Sequence, residues 1–210
     1  MTPKTLDKQE HWNSIYASKQ EEELGWYEPE LKISFSLLTG SAPDKQTPVI
    51  DIGGGTSTLV DDLVEEGYED VTVLDISEEA LSKAKTRLGS KSGNVTWISG
   101  DMTSVTLPEN RFTIWHDRAV FHFLTTPEER RKYMDNLRHA LRPGGTAIIA
   151  TFTPEAPAIC SGLPVERYTP EKLQAVLGDE FTLNHHQKDL HITPSGVEQM
   201  YLYTQFSFHP

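Results

Sequence analysis

The segment Val49–Gly67, VIDIGGGTSTLVDDLVEEG, sets three consecutive glycines between an apolar run and an amphipathic one. A strand that enters a glycine turn and leaves as a helix puts a ligand at the carboxyl edge of a sheet, beside a helix N-terminus. Three ligand classes compete for that place. A nucleoside triphosphate loop requires G-x-x-x-x-G-K-[ST], and no lysine follows these glycines. A dinucleotide fingerprint requires G-x-G-x-x-G; Gly53 and Gly55 supply its first half, but Thr58 stands where the third glycine belongs. Asp51, two residues before Gly53, would repel a pyrophosphate and suits a cationic or zwitterionic ligand.

The rest of the chain alternates strand-like and helix-like segments. A helix is expected from Thr58 to Glu66, ended by Gly67, and VTVLDI (Val71 to Ile76) is a second strand. Ser77 is placed to cap a helix with Glu78 and Glu79 in its first turn, Leu81, Ala84 and Leu88 on one face, and Gly89 at its end. NVTWIS and RFTIWHD form a third and fourth strand. Pro127 opens a helix with Tyr133, Leu137, Ala140 and Leu141 on one side, RPGG is a turn, and TAIIATF is a fifth strand. This alternation predicts βαβ units, hence a mainly parallel sheet with helices on both faces. EFTLNHHQKDL and QMYLYTQFSF, separated only by HITPSG, leave no room for a helix and predict an antiparallel pair.

Two more acids narrow the ligand. Asp75 ends the second strand, where a carboxylate accepts both hydroxyls of a ribose, and Asp101 in GDMTS ends the third, where it or its neighbouring amides meet an adenine edge. A nucleoside with a positive centre and an amino-acid tail satisfies all three acids, and S-adenosylmethionine is that ligand. The ordered set DIGGGTS, VLDIS, GDMTS and LRPGG, followed by the antiparallel pair, resembles the class I S-adenosylmethionine-dependent methyltransferases. The resemblance runs from about Val49 to the C-terminus. It implies a Rossmann-like, doubly wound α/β fold whose mainly parallel seven-stranded sheet ends in an antiparallel strand pair. It further implies a methyltransferase domain over residues 48–210, preceded by a helical lid and substrate segment over residues 1–47. Cofactor contacts are implied for Asp51, Gly53, Gly55, Asp75, Ile76, Asp101, Met102 and His116, and for Trp12, Tyr16 and Trp26 of the lid.

Composition excludes some partners. A formal charge of −12 argues against a nucleic-acid partner, which needs a basic face. One cysteine, Cys160, allows no internal disulfide, and the N-terminal residues MTPKTLDKQEHWNS lack the charged start and apolar run of a signal peptide. No apolar stretch approaches the ~20 residues that span a bilayer. A cytoplasmic monomer or homodimer with no membrane partner is expected. Neither C-x-x-C nor H-E-x-x-H occurs, so no metal is expected, and displacement from a sulfonium requires none.

In this superfamily the acceptor pocket is built from the N-terminal section and the loops after the fourth and fifth strands. The first of these concentrates Trp12, Tyr16, Trp26 and Tyr27, either as a helix packed on the core or as a lid whose aromatic faces attract a sulfonium. The pattern W-x-x-x-Y … G-W-Y also resembles the start of small bacterial methyltransferases related to thiol and thiopurine S-methyltransferases. After the fourth strand, His122, Asp117 and Arg118 are the catalytic candidates. His122, with an unperturbed pKa of ~6.5, is placed either to deprotonate an acceptor or to pack between Phe121 and Phe123. Asp117 and Arg118 alternatively form an ion pair that anchors the loop. A small thiol or sulfide-type acceptor is expected, in a pocket of Trp26, Phe121, His122 and Tyr168 with positive charge from Arg118 and Arg167. The alternatives are a protein lysine N-methyltransferase and a non-catalytic S-adenosylmethionine-binding regulator.

Overall fold

A computed structural model describes residues 7–210; the first six residues of the expected N-terminal segment lie outside the described residues. Helix α1 (Lys8–Ser18) begins at Asp7, whose side chain accepts from the Glu10 amide, and α2 (Lys32–Ser41) follows. Then come β1 (Val49–Ile52), α3 (Leu59–Glu65), β2 (Val71–Asp75), α4 (Glu78–Leu88) and β3 (Val95–Ser99). The chain continues through β4 (Phe112–Arg118), α5 (Pro127–Ala140) and β5 (Leu141–Phe152). A two-stranded hairpin of β6 (Ile159–Cys160) and β7 (Leu163–Pro164) precedes α6 (Pro170–Leu177), β8 (Phe181–Ile192) and β9 (Glu198–Phe208).

The seven-stranded sheet has the order β3-β2-β1-β4-β5-β9-β8. Its first five strands pair in parallel, while β9 joins β5 antiparallel and β8 joins β9 antiparallel, as the C-terminal pattern predicts. Chain order reverses between β1 and β4. A doubly wound sheet opens a crevice at the carboxyl ends of the strands at such a point. Both faces are covered, so β1 and β2 are buried at every position. Their mostly apolar pattern, interrupted by Asp51, Thr72 and Asp75, follows from that.

The helix signals hold where capping chemistry is local. Ser77 Oγ accepts from the Ala80 amide, Ala80, Leu81, Ala84 and Leu88 are buried, and Gly89 ends α4 with φ +57°. Thr126 and Glu129 form a reciprocal capping box ahead of Pro127, and Tyr133, Leu137 and Ala140 enter the core. RPGG departs from a simple turn. It lies inside β5, where Leu141 still pairs with Phe112 before the register shifts and Thr146 meets Ile114. Helix α2 is part of the body, since Leu38 and Ser34 are fully buried and Leu31, Leu38 and Ala42 join the cluster around β1, α3 and β2. Among the expected N-terminal residues, only those before α2 lie over the crevice. Among the described residues no helix is long and apolar enough to cross a membrane.

Behind the crevice, Trp115 Nε1 donates to Tyr133 Oη at 2.8 Å, and that hydroxyl donates to Asp117 Oδ2 at 2.6 Å. All three side chains are fully buried. Tyr133→Phe removes a donor to Asp117 and leaves the indole N–H without an acceptor. Equilibrium denaturant unfolding should show a loss of about 1–3 kcal/mol; an unchanged midpoint would mean the network is energetically idle.

Candidate functional site

The crevice is floored by the glycine turn after β1. Gly53 and Gly55 have φ of +65° and +39°, a region that favours glycine. Space is equally limiting. A Cβ on Gly53 would fall 2.0 Å from Val120 Cγ2, and one on Gly55 would fall 2.8 Å from Asp75 Oδ2 and 3.0 Å from Tyr16 Oη. The turn therefore lets the loop after β4, the end of β2 and the N-terminal helix converge on one backbone.

Asp75 closes β2 with its side chain buried, and its Oδ1 accepts from the Ser77 amide at 2.7 Å. Burial raises its pKa to about 7 against the opposing backbone hydrogen bond from Ser77, and nearby Asp51 adds to the rise. Asp101 forms its own turn, Oδ1 accepting from the Thr103 amide and hydroxyl at 2.7 and 2.8 Å. Asp75, Ile76, Asp101 and Met102 line a common cavity. Trp12, Phe123, Ala119 and Cys160 line it too, with Lys8, paired to Glu129, and Arg118 contributing charge. Tyr16, Trp26, Gly53 and Arg118 also border an adjoining lobe containing Asp51, His116, Glu28 and Thr56.

Three N-terminal aromatics, Trp12, Tyr16 and Trp26, border this space. Trp12 meets Trp26 and Phe123 edge to face at 5.6 and 5.1 Å, and Tyr16 meets Trp26 at 5.7 Å. Helix α1 is tied down on several sides: Asn13 accepts from Ser77 Oγ, Lys83 donates to the Tyr16 carbonyl, and His11 Nε2 lies 3.1 Å from the Ser161 carbonyl beside Cys160.

The loop after β4 differs from expectation at two of its three catalytic candidates. Asp117 is buried outside the cavity lining, accepting from the amides of Val120 and Phe121 and from Tyr133. Burial pushes its pKa up to about 6, and those hydrogen bonds hold it from rising further. It orders the loop rather than facing a substrate, and it makes no ion pair with Arg118. The His122 ring is fully buried and packs on Phe123 and Phe152, each 4.6 Å away. Burial and the neighbouring Arg118 push its pKa down to about 3. His122 thus lies outside the cavity lining with a ring held neutral by burial, a packed position rather than the exposed one expected of a general base. Phe121 and Tyr168, expected in the acceptor pocket, instead meet at 5.6 Å within the main core, and Arg167 donates to the carbonyls of Pro154 and Ala156.

Arg118 does face the cavity. Its guanidinium donates to Tyr203 Oη, the Trp26 carbonyl and Glu28 Oε2 at 3.0, 3.0 and 3.1 Å, and lies 4.5 Å above the Tyr201 ring. Although desolvation opposes the charge, the surrounding tyrosines and Glu28 hold its pKa above the usual arginine value. Glu28, Val120 and Ser34 are site residues that the sequence patterns did not single out. No motif marks them, because each reaches the site by packing rather than by a turn.

The fold and this crevice define a class: a Rossmann-like domain with a nucleoside-binding edge. Residues 49–145 match the family model described as a methyltransferase domain. The eEF1A lysine and N-terminal methyltransferase of Mus musculus is 27% identical over 126 residues, 60% of this chain and 18% of that protein. This chain thus spans less than a fifth of the length of that curated relative. The demethylmenaquinone methyltransferase of Clavibacter sepedonicus is 30% identical over 123 residues, 58% of this chain and 48% of that protein. A solved structure concerning conversion of a disulfide bond into a thioacetal group during echinomycin biosynthesis superposes with a TM-score of 0.78 at 21% identity. It covers 96% of this chain and 93% of its own. The matched segment holds the glycine turn and the acids at the ends of β2 and β3, so this part of the chain is similar to a methyltransferase domain.

The raised pKa of Asp75 gives a testable pH dependence. Ribose hydroxyls donate to a carboxylate, so binding below a pKa of about 7 requires the proton to leave. Affinity for S-adenosylhomocysteine should fall by about tenfold per pH unit as pH drops below that value and level off above it. Calorimetry across pH 5.5–8.5 checks this, and Asp75→Asn should bind weakly with a flat profile; a flat wild-type profile would contradict the assignment.

Proposed function

We propose that this chain transfers the methyl group of S-adenosylmethionine to a small-molecule acceptor, with a thiol or other anionic sulfur nucleophile as the favoured class. The observation that carries the reading is the Arg118 guanidinium on the cavity wall, set with Trp12, Phe123, Ala119 and Cys160 in a largely apolar lining. Lys8 also lines the cavity but is paired with Glu129, and Glu28 is engaged by Arg118. A thiolate gains from the arginine in this apolar setting, whereas an ammonium acceptor does not.

S-adenosylmethionine supplies an electrophilic methyl on a sulfonium, and binding, alignment and water exclusion fall to the chain. Asp75 and Asp101 are assigned the ribose and adenine edges, and Ile76 and Met102 the apolar faces beside them. The roof of Trp12, Tyr16 and Trp26 covers the sulfonium, whose charge their faces attract, and keeps water from the reacting atoms. Arg118 lowers the pKa of an incoming thiol, so a separate general base is unnecessary. In-line displacement then depends on holding acceptor and methyl in register.

Two similarities bear on the acceptor. The superposing structure concerns chemistry at disulfide sulfur, in keeping with a sulfur acceptor. The mouse relative is named a lysine and N-terminal methyltransferase, which favours a protein amine instead. The Arg118 guanidinium on the cavity wall weighs against the second.

A labelled-methyl transfer assay over thiols, sulfide, amines, carboxylates and lysate protein separates these readings. Label is expected in small thiols; label in protein would move the acceptor to an amine. Trp12→Ala should lower turnover by roughly 5–30-fold, equivalent to about 1–2 kcal/mol of lost cation–π and shielding contact, with thermal unfolding near wild type. Unaltered turnover would remove the roof from the mechanism.

A further inference from the structure

Asp51 and His116 are register partners on adjacent parallel strands, so their side chains leave the same sheet face. His116 Nδ1 lies 2.6 Å from Asp51 Oδ1, and Nε2 lies 2.9 Å from Ser34 Oγ on α2. All three residues are buried, none more than 2% exposed. A carboxylate only accepts, so Nδ1–H donates to Asp51, and in the neutral ring Nε2 accepts from the Ser34 hydroxyl. This chain of contacts satisfies one oxygen of Asp51 and leaves the other. Oδ2 is buried with no hydrogen-bond partner among the described residues. A Cβ on Gly54 would lie 2.6 Å from Oδ2, so the middle glycine keeps that oxygen uncovered.

The lobe beside Asp51 carries both signs of charge: Asp51 and Glu28 on one hand, Arg118 on the other. A buried, unpaired carboxylate oxygen is costly and calls for a donor. We propose that His116 is a positioning residue for the amino-acid tail of the cofactor. Held through Ser34, it fixes Asp51 so that Oδ2 meets the tail's ammonium. The proposal rests on the cofactor reading above and extends it from the nucleoside to the zwitterion. Fixing the carboxylate beforehand spares the ordering that binding would otherwise require.

Two ligands separate tail positioning from general folding effects. S-adenosylhomocysteine carries the amino-acid tail; 5′-methylthioadenosine has the same adenosine and sulfur without it. In calorimetry, wild-type protein should bind the first much more tightly than the second. His116→Leu should weaken S-adenosylhomocysteine by about tenfold or more, the worth of one charge-assisted hydrogen bond, and leave 5′-methylthioadenosine essentially unchanged. His116→Asn, which returns an N–H donor to the Nδ1 position, should recover part of the loss. Ser34→Ala should act in the same direction by a smaller factor, and these two variants carry the test if His116→Leu fails to fold. Equal losses for both ligands, or no loss for either, would overturn the positioning role. Wild-type protein that binds neither ligand would overturn the cofactor reading itself, and wild-type protein that binds both equally would overturn only the tail site.

Discussion

The turn Gly53–Gly55 is the point at which every other part of the site meets. Val120 and Asp75 approach this backbone so closely that a single Cβ would collide with one or the other. Without that approach, the loop after β4 would stand away from the ends of β1 and β2, and the crevice at the strand-order reversal would widen into open groove. Positive φ at both outer glycines serves the same end, aiming the backbone toward the crevice before α3 begins. The constraint is thus steric first and chemical second: the acids and aromatics acquire a common ligand because the glycines permit them to converge.

Burial then sets the chemistry of the groups brought together. Asp75, Asp117, Arg118 and His122 lie within a few residues of the turn's neighbours, yet desolvation treats them differently. It raises both carboxyls and lowers the imidazole. Arg118 stays charged because Tyr203, the Trp26 carbonyl and Glu28 surround it. A guanidinium paired with Glu28 is thus retained on the cavity wall, and the neutral His122 ring lies outside its lining. The same arginine joins β4, β9 and the N-terminal roof, so the charge of the cavity and the seating of its cover depend on one side chain.

The parallel sheet, its antiparallel close and the acids at strand ends were legible in the sequence because each follows from a local rule. The strand runs that carry Asp51 and Asp75 are set by burial on both faces, the half-exposed β3 ahead of Asp101 by its β-branched and aromatic residues, and Ser77 and Thr126 announce their helices by capping. Helix α2 escaped notice, since Ser34, Ser36, Thr39 and Gly40 dilute its apolar face and its stability comes from packing on the sheet. The short hairpin holding Cys160 carries no strong periodicity, whereas α6 has its signals in Thr169 as cap, Pro170 in the first turn and Leu173 and Leu177 on one buried face, but only eight residues to show them. His122 illustrates the limit most clearly. A histidine between two phenylalanines is compatible with a pocket or a core, and only the turn at residues 121–123 decides which way the ring points. Glu28, Ser34 and Val120 matter through contacts across the fold, which no spacing along the chain encodes.

The central claim is that the carboxyl edge of this sheet holds a sulfonium nucleoside with no phosphate. Calorimetric titration of the protein with S-adenosylhomocysteine and, separately, with NAD tests it directly. The account predicts one S-adenosylhomocysteine bound per chain and no heat from NAD, because Asp51 and Thr58 stand where a pyrophosphate would need an uncharged turn and a third glycine. Binding of NAD with no response to S-adenosylhomocysteine would contradict it.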